Sequence, residues 1–202
     1  MKKLLLTSNG FTNPLLGNKF LELVGKPANK IRILYVPTAS NVEEDRSYTK
    51  ETKKGLIKLG IKEDNLVEFD LDKNPNYELL SDIDAIFVEG GNTFYLLSKV
   101  RQTEFDRKII DLVSKGVVYV GVSAGSILAC KDISIADPFD KNDYITEDFR
   151  GLGLTDKILV PHFQNKEERL IKDFERKTGY KVTRLSDGQA LLVINNLEEI
   201  IK

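Results

Sequence analysis

Tryptophan is missing from this chain of 202 residues, and cysteine, histidine and methionine occur once each. A lone Cys130 cannot build an intrachain disulfide framework, so the core must hold the fold, and a reducing, cytoplasmic setting is expected. One histidine among scattered carboxylates gives no metal-ligand spacing. Charge of one sign is not in excess either. Thirty Lys and Arg stand against thirty-one Asp and Glu, spread evenly, which excludes a general field toward nucleic acid or an anionic membrane. No apolar run approaches membrane-spanning length. Met1-Lys2-Lys3-Leu4-Leu5-Leu6 starts like a secretory signal but stops at Thr7-Ser8-Asn9-Gly10, short of a working hydrophobic region, and reads as a first strand. Neither Gly90-Gly91-Asn92 nor Gly151-Leu152-Gly153 extends to a P-loop or a dinucleotide fingerprint, so no cofactor is expected.

What the chain does have is alternation. With 41% hydrophobic residues it can bury one substantial core, and residues 1–202 are expected to form one domain. Short β-rich runs at Lys3–Thr7, Ile31–Val36, Leu66–Leu71, Ala85–Glu89 and Val117–Val122 are separated by helical patterns at Leu15–Val24, Glu43–Leu59 and Thr93–Ser114, the last broken near Gln102. This order implies βαβ units: an α/β fold with a mostly parallel sheet flanked by helices on both faces. After Cys130, residues Asp132–Arg150 form a long Asp-rich loop, a length that favours function or mobility. Leu154–Val160 reads as a strand, Lys166–Thr178 as a charged helix, and Lys181–Leu185, Ala190–Ile194 and Leu197–Ile201 as closing strands. Cys130, on an apolar helix side without a nearby cation, is expected to be a core residue rather than a reactive thiol.

The most informative stretch is Val117-Val118-Tyr119-Val120-Gly121-Val122-Ser123-Ala124-Gly125-Ser126. A β-branched strand runs into Gly-x-Ser-x-Gly and then a short apolar helix, the context of a nucleophile elbow. The bland alternative is a tight βα turn in which Ser123 merely caps the helix. A serine hydroxyl needs a base, normally an imidazole oriented by a carboxylate. The single histidine makes His162 the candidate base, placed just after a predicted strand, at the sheet edge where ligands gather. For the carboxylate, Asp187 in Ser186-Asp187-Gly188 is preferred and Asp137 in Ala136-Asp137-Pro138 is the alternative; either could be plain turn chemistry. Backbone N–H groups of Gly91 and Ala124 are the candidate oxyanion hole, with Asn92 a candidate helix cap.

With Gly90-Gly91-Asn92-Thr93-Phe94, the Ser123 elbow and Pro161-His162-Phe163 in this order, the chain resembles the peptidase E family of serine dipeptidases, related to cyanophycinases. The likeness spans nearly the whole chain, including Leu-Leu-Leu-Thr-Ser-Asn at its start. It implies a class I glutamine amidotransferase-like fold and a triad of Ser123, His162 and an acidic residue, Asp187 or, more loosely, Asp137. Peptidase E cleaves dipeptides with amino-terminal aspartate using an arginine beyond its catalytic histidine; Lys166 stands in that place and Arg169 at a later one. Lysine is a point charge rather than a bidentate fork, so aspartate specificity does not carry over with it. The expected activity is a serine peptidase acting on short peptides through an acyl-enzyme, with Asn92 and Lys166 as candidate substrate contacts, in a monomer or homodimer. Hydrolysis of another amide or an ester, or an inert binding module on the same scaffold, are the alternatives.

Overall fold

In the computed structural model, which describes residues 1–73, 75–144 and 147–202, the strands are β1 (Lys3–Thr7), β2 (Ile33–Val36), β3 (Leu66–Glu68), β4 (Ala85–Val88), β5 (Val118–Val122), β6 (Ile158–Val160), β7 (Val182–Arg184), β8 (Ala190–Ile194) and β9 (Leu197–Ile201). The helices are α1 (Pro14–Val24), α2 (Ser47–Lys58), α3 (Thr93–Gln102), α4 (Phe105–Ser114), α5 (Ala124–Leu128) and α6 (Glu168–Thr178). Seven strands form one sheet in the order β3-β2-β4-β5-β1-β8-β9. The first five run parallel, and β8 and β9 complete the sheet antiparallel.

Successive strand residues point to opposite faces, and both faces are apolar. Leu4, Leu6, Leu34, Val36, Ile86, Val88 and Tyr119 pack toward α3, α4 and α5, while Leu5, Ile33, Tyr35, Phe87, Val118 and Val120 pack toward α1 and α2. This two-sided burial is why the central strands lack a polar alternation. Each fully buried Leu or Phe contributes about 1.5–3 kcal/mol, so the middle of the sheet is the stiffest part of the molecule. Helix α1 illustrates the local encoding: Asn13 Oδ1 accepts from Leu15 N–H, Pro14 opens the helix, and Gly25 closes it at φ 70°.

The long helical pattern after Asn92 breaks where expected, just past Gln102, at Thr103 and Glu104, where Glu104 has φ 54°. Two elements differ from the sequence expectation. The strand expected from Leu154 begins only at Ile158, because the N–H groups of Leu154 and Thr155 both turn to Ala129 O. The closing strands do not stay together: β7 leaves the main sheet and pairs in parallel with β6 as a separate two-stranded ribbon. Ile145 and Thr146 of the expected 132–150 loop lie outside the described residues. Cys130 is fully buried, and burial pushes its thiol up to about 12. None of the described helices is long and apolar enough to cross a membrane.

Candidate active site

Register fixes what meets at the carboxyl rim of the sheet. Thr7 pairs with Val122, and Val88 with Gly121, so the residues that follow β1, β4 and β5, namely Ser8, Glu89 and Ser123, emerge side by side. Ser123 has φ 47° and ψ −109°, a sparsely populated backbone state costing about 1–3 kcal/mol that must be imposed by its surroundings. The impositions are visible. Ser123 N–H donates to Thr7 O at 3.1 Å, Ser123 O accepts from Ser126 N–H at 2.8 Å and Ile127 N–H at 3.0 Å, and Tyr119 Oη donates to Gly125 O at 2.7 Å. A Cβ on Gly125 would lie 2.3 Å from Val88 O, and one on Gly121 would lie 2.6 Å from Gly125 O. Only glycine lets α5 lie this close to β4 and β5.

The glycine turn after β4 is equally tight. Gly91 has φ 130°, and a Cβ there would meet Ala39 O at 2.3 Å. Gly91 lines the cavity in front of Ser123. Among the described residues, neither Gly91 N–H nor Ala124 N–H donates to a protein acceptor. Asn92 is spent structurally: its Oδ1 caps α3 at Tyr95 N–H (2.9 Å) and its Nδ2 donates to Lys141 O (2.9 Å). The Nδ2 bond links it to the 132–150 segment, and Asn92 does not line either hollow at Ser123.

His162 follows β6, with φ 55°. Its Nδ1 lies 2.7 Å from Asp187 Oδ1. An ionised carboxylate can only accept, so Nδ1 carries the proton and Nε2 is free to receive one. Sequence reasoning missed Ser8. Its hydroxyl accepts from His162 N–H at 2.7 Å and donates to the same Asp187 Oδ1 at 2.9 Å, and it is fully buried. One serine thus ties the backbone under the imidazole to the carboxylate beside it. The available signal was position: Ser8 directly follows a strand that borders β5. The two loops are further joined by Phe163 N–H to Leu185 O (3.0 Å) and Gly188 N–H to Asn9 Oδ1 (3.0 Å).

Ser123, His162 and Asp140 all line two adjoining hollows. One, of about 360 Å³, carries the acidic groups of Glu43 and Glu89 with Tyr48 and Gly91; the other includes Ile127, Ile135, Phe139 and Leu159. Burial drives the Glu89 carboxyl up to about 7 despite partial relief from Tyr35, Gly90 N–H and Thr52, and it raises Asp140 as well. Asp137 and Lys166 are elsewhere. They line a groove of their own with Arg169 and Asp173. Of the two candidate carboxylates it is Asp187, not Asp137, that lies against His162 Nδ1, and Lys166, in the turn Asn165–Glu167, lines that groove rather than the Ser123 cavity. No cluster of three or more potential metal ligands occurs among the described residues.

A mostly parallel α/β sheet carrying a strained serine at its carboxyl rim, beside a histidine paired with a carboxylate, defines the class, a serine-type hydrolase. The sequence profile described as peptidase family S51 matches residues 4–201. An uncharacterized peptidase of Listeria innocua is 31% identical over all of this chain and 96% of its own length. A peptidase E of Salmonella arizonae is 33% identical over 81% of this chain and 69% of its own. A crystal structure of a Listeria monocytogenes protein provisionally called peptidase E superposes with a TM-score of 0.83 at 27% identity, covering 100% of this chain and 98% of that one. The chain belongs to peptidase family S51 and is a serine-type peptidase.

Proposed function

We propose that the chain hydrolyses short peptides, dipeptides among them, through an acyl-enzyme on Ser123. Ser123 Oγ attacks the scissile carbonyl carbon as His162 Nε2 takes its proton; the same proton then goes to the leaving amine as the C–N bond breaks. Water, deprotonated by His162, attacks the acyl-enzyme and releases the acid and the free serine. Asp187 fixes the imidazole tautomer and stabilises its cation. Gly91 and Ala124 N–H groups hold the oxyanion. The two hollows on either side of Ser123 and His162 give room for the two halves of a small substrate.

The observation that carries this reading is the 2.7 Å contact between His162 Nδ1 and Asp187 Oδ1, with that ring and the strained Ser123 lining one cavity. No hydrogen bond joins Ser123 Oγ to the ring among the described residues; such contacts commonly tighten only with substrate bound. The test is labelling by a fluorophosphonate probe together with turnover of a dipeptide panel. Stoichiometric modification at Ser123, abolished with all turnover in Ser123→Ala, is expected. Undiminished turnover in Ser123→Ala sinks the assignment.

A further inference from the structure

The first of the hollows at Ser123 has an excess of acid. Glu43, Glu89 and Asp140 line it, and His162 is the one lining side chain that can be cationic. Glu89 is buried, Asp140 half-buried and Glu43 exposed; a buried carboxyl is normally paired, yet none of the three makes an ion pair among the described residues, and the nearby basic groups have other partners. Arg46 donates to Asn41 Oδ1 at 2.5 Å, and Lys141 pairs with Asp143 at 2.6 Å. Glu89 is only 1% exposed, and its Oε2 has no hydrogen-bond partner within normal distance among the described residues. Its Oε1 receives a long 3.3 Å contact from Thr52 Oγ1. The neighbouring Tyr35 hydroxyl, which favours the Glu89 carboxylate, also donates to Thr49 O at 3.2 Å. Asp140 accepts from Thr93 N–H at 2.8 Å.

We propose that this acidic hollow is a specificity subsite for a positively charged nitrogen of the substrate, with Glu89 as its buried anchor. The inference rests on Ser123 being the nucleophile. An ammonium carries three donors and no acceptor, so it supplies Glu89 Oε2 with the donor it lacks and offsets the mutual repulsion of Glu43 and Asp140. Distance limits where the charge sits. A Cβ on Gly90 would come within 3.3 Å of Ser123 Cβ, so the backbone that bears Glu89 runs against the nucleophile, and the nitrogen belongs close to the scissile bond. A free α-amino group or a basic side chain meets this description; an acidic side chain does not. Burial raises both Glu89 and Glu43, with the charge of Asp140 adding to the latter, and a bound cation draws both back down, so binding releases protons.

The test compares kcat/KM at about pH 8 for Ala-Ala, N-acetyl-Lys-Ala and N-acetyl-Ala-Ala, read by chromatography of the released amino acid. The acetylated Ala-Ala is expected to be poorer than the better cationic substrate by about 30-fold, the scale of a lost hydrogen bond to a charged group. Preference for Ala-Ala identifies the α-amino group as the ligand, and preference for N-acetyl-Lys-Ala identifies the side chain. Glu89→Gln should compress the cationic-to-neutral ratio about tenfold, mostly through KM, and Glu43→Gln by less because it is more exposed. If the probe labels Ser123 and the three substrates are cleaved equally, or Glu89→Gln leaves the ratio unchanged, the subsite is overturned while the nucleophile stands. If Ser123 is neither labelled nor needed for turnover, the nucleophile reading fails. The subsite is then decided by NMR titration with propylammonium chloride: amide shifts around Glu89 that vanish in Glu89→Gln support it, and no shifts overturn it.

Discussion

The two halves of the site are held by different physics. Ser123 is fixed from below: a strained backbone, three fully packed strands and glycines that admit no Cβ set its position, and the helix that follows it is buried throughout. His162 and Asp187 are fixed from the side, on loops, with side chains 48% and 59% exposed. Their alignment comes from a few hydrogen bonds that begin at Ser8. Packing in a sheet core tolerates almost no change in volume, whereas an exposed hydrogen-bonded loop tolerates change in composition but not in geometry. The nucleophile's half should therefore fail by unfolding, and the base's half by losing activity in a folded protein.

The harshest test of that contrast is Gly125→Ala. Its methyl would meet Val88 O at 2.3 Å, and both partners are backbone, so the helix or the sheet must shift. A loss of more than about 4 kcal/mol is expected in urea denaturation, within the range reserved for severe core lesions. A Gly125→Ala protein that melts like the parent would show that the elbow is not clamped. Next in size, Asp187→Ala should lower kcat/KM about a thousandfold, as expected when the imidazole loses its orienting carboxylate, with little change in melting because the group is exposed. Asp137→Ala, on the separate groove, should alter kcat/KM by about twofold at most. Reversal of those two results would return the third triad role to the 132–150 loop.

The halves also differed in how readable they were. The central strands of the large sheet announced themselves as apolar runs because burial on both faces leaves a continuous signature, and β1 and β8 end where the runs end; the edge strands β3 and β9 carry charged residues and lack that signature. The elbow was legible for the same reason that it is rigid: glycine, serine and strand are forced into a fixed spacing. The base's half was only partly legible. His162 could be named because the chain has no second histidine, but Asp187 and Asp137 sit in similar turn sequences, and nothing local says which loop folds back onto the ring. That choice is made by β7 pairing with β6 rather than with β8, a long-range event that no local pattern records. Ser8 and Glu89 were missed as functional candidates because a strand-end serine and a strand-end carboxyl are ordinary until neighbouring strands are set in register.

A pH experiment sharpens the comparison on the nucleophile's side. Glu89 is raised from 4.5 to about 7 chiefly by burial, so the unfolded chain ionises it more readily than the folded one. The sign follows: its contribution is fully present below about pH 4.5 and is lost as pH rises through about 7. Over that window the parent should lose roughly 3 kcal/mol relative to Glu89→Gln. Glu43, Asp140, Tyr35, Tyr48 and His162 lie nearby in both proteins, which is why the difference between the two denaturation curves, and not either curve alone, isolates Glu89. A constant difference across the window would mean that the carboxyl is ionised or solvated in the folded state.

A smaller loss than that of Asp187→Ala probes the base's half most finely. Ser8→Ala removes a hydroxyl that does two things: it accepts from His162 N–H at 2.7 Å and donates to Asp187 Oδ1 at 2.9 Å. The volume change is slight, but a buried N–H loses its acceptor, which costs about 1–3 kcal/mol. If Ser8 positions the pair, part of that loss is paid as misalignment, and kcat should fall about tenfold while KM for a dipeptide stays within about twofold, since Ser8 lies outside the substrate hollows. Ser8→Thr keeps the hydroxyl and should restore most of kcat if its extra methyl is accommodated. A merely structural serine gives a different pattern: lower melting temperature with kcat unchanged, and no rescue by threonine. Observing that pattern would move the origin of the His162–Asp187 alignment from Ser8 to the loop contacts of Phe163 N–H with Leu185 O and Gly188 N–H with Asn9 Oδ1.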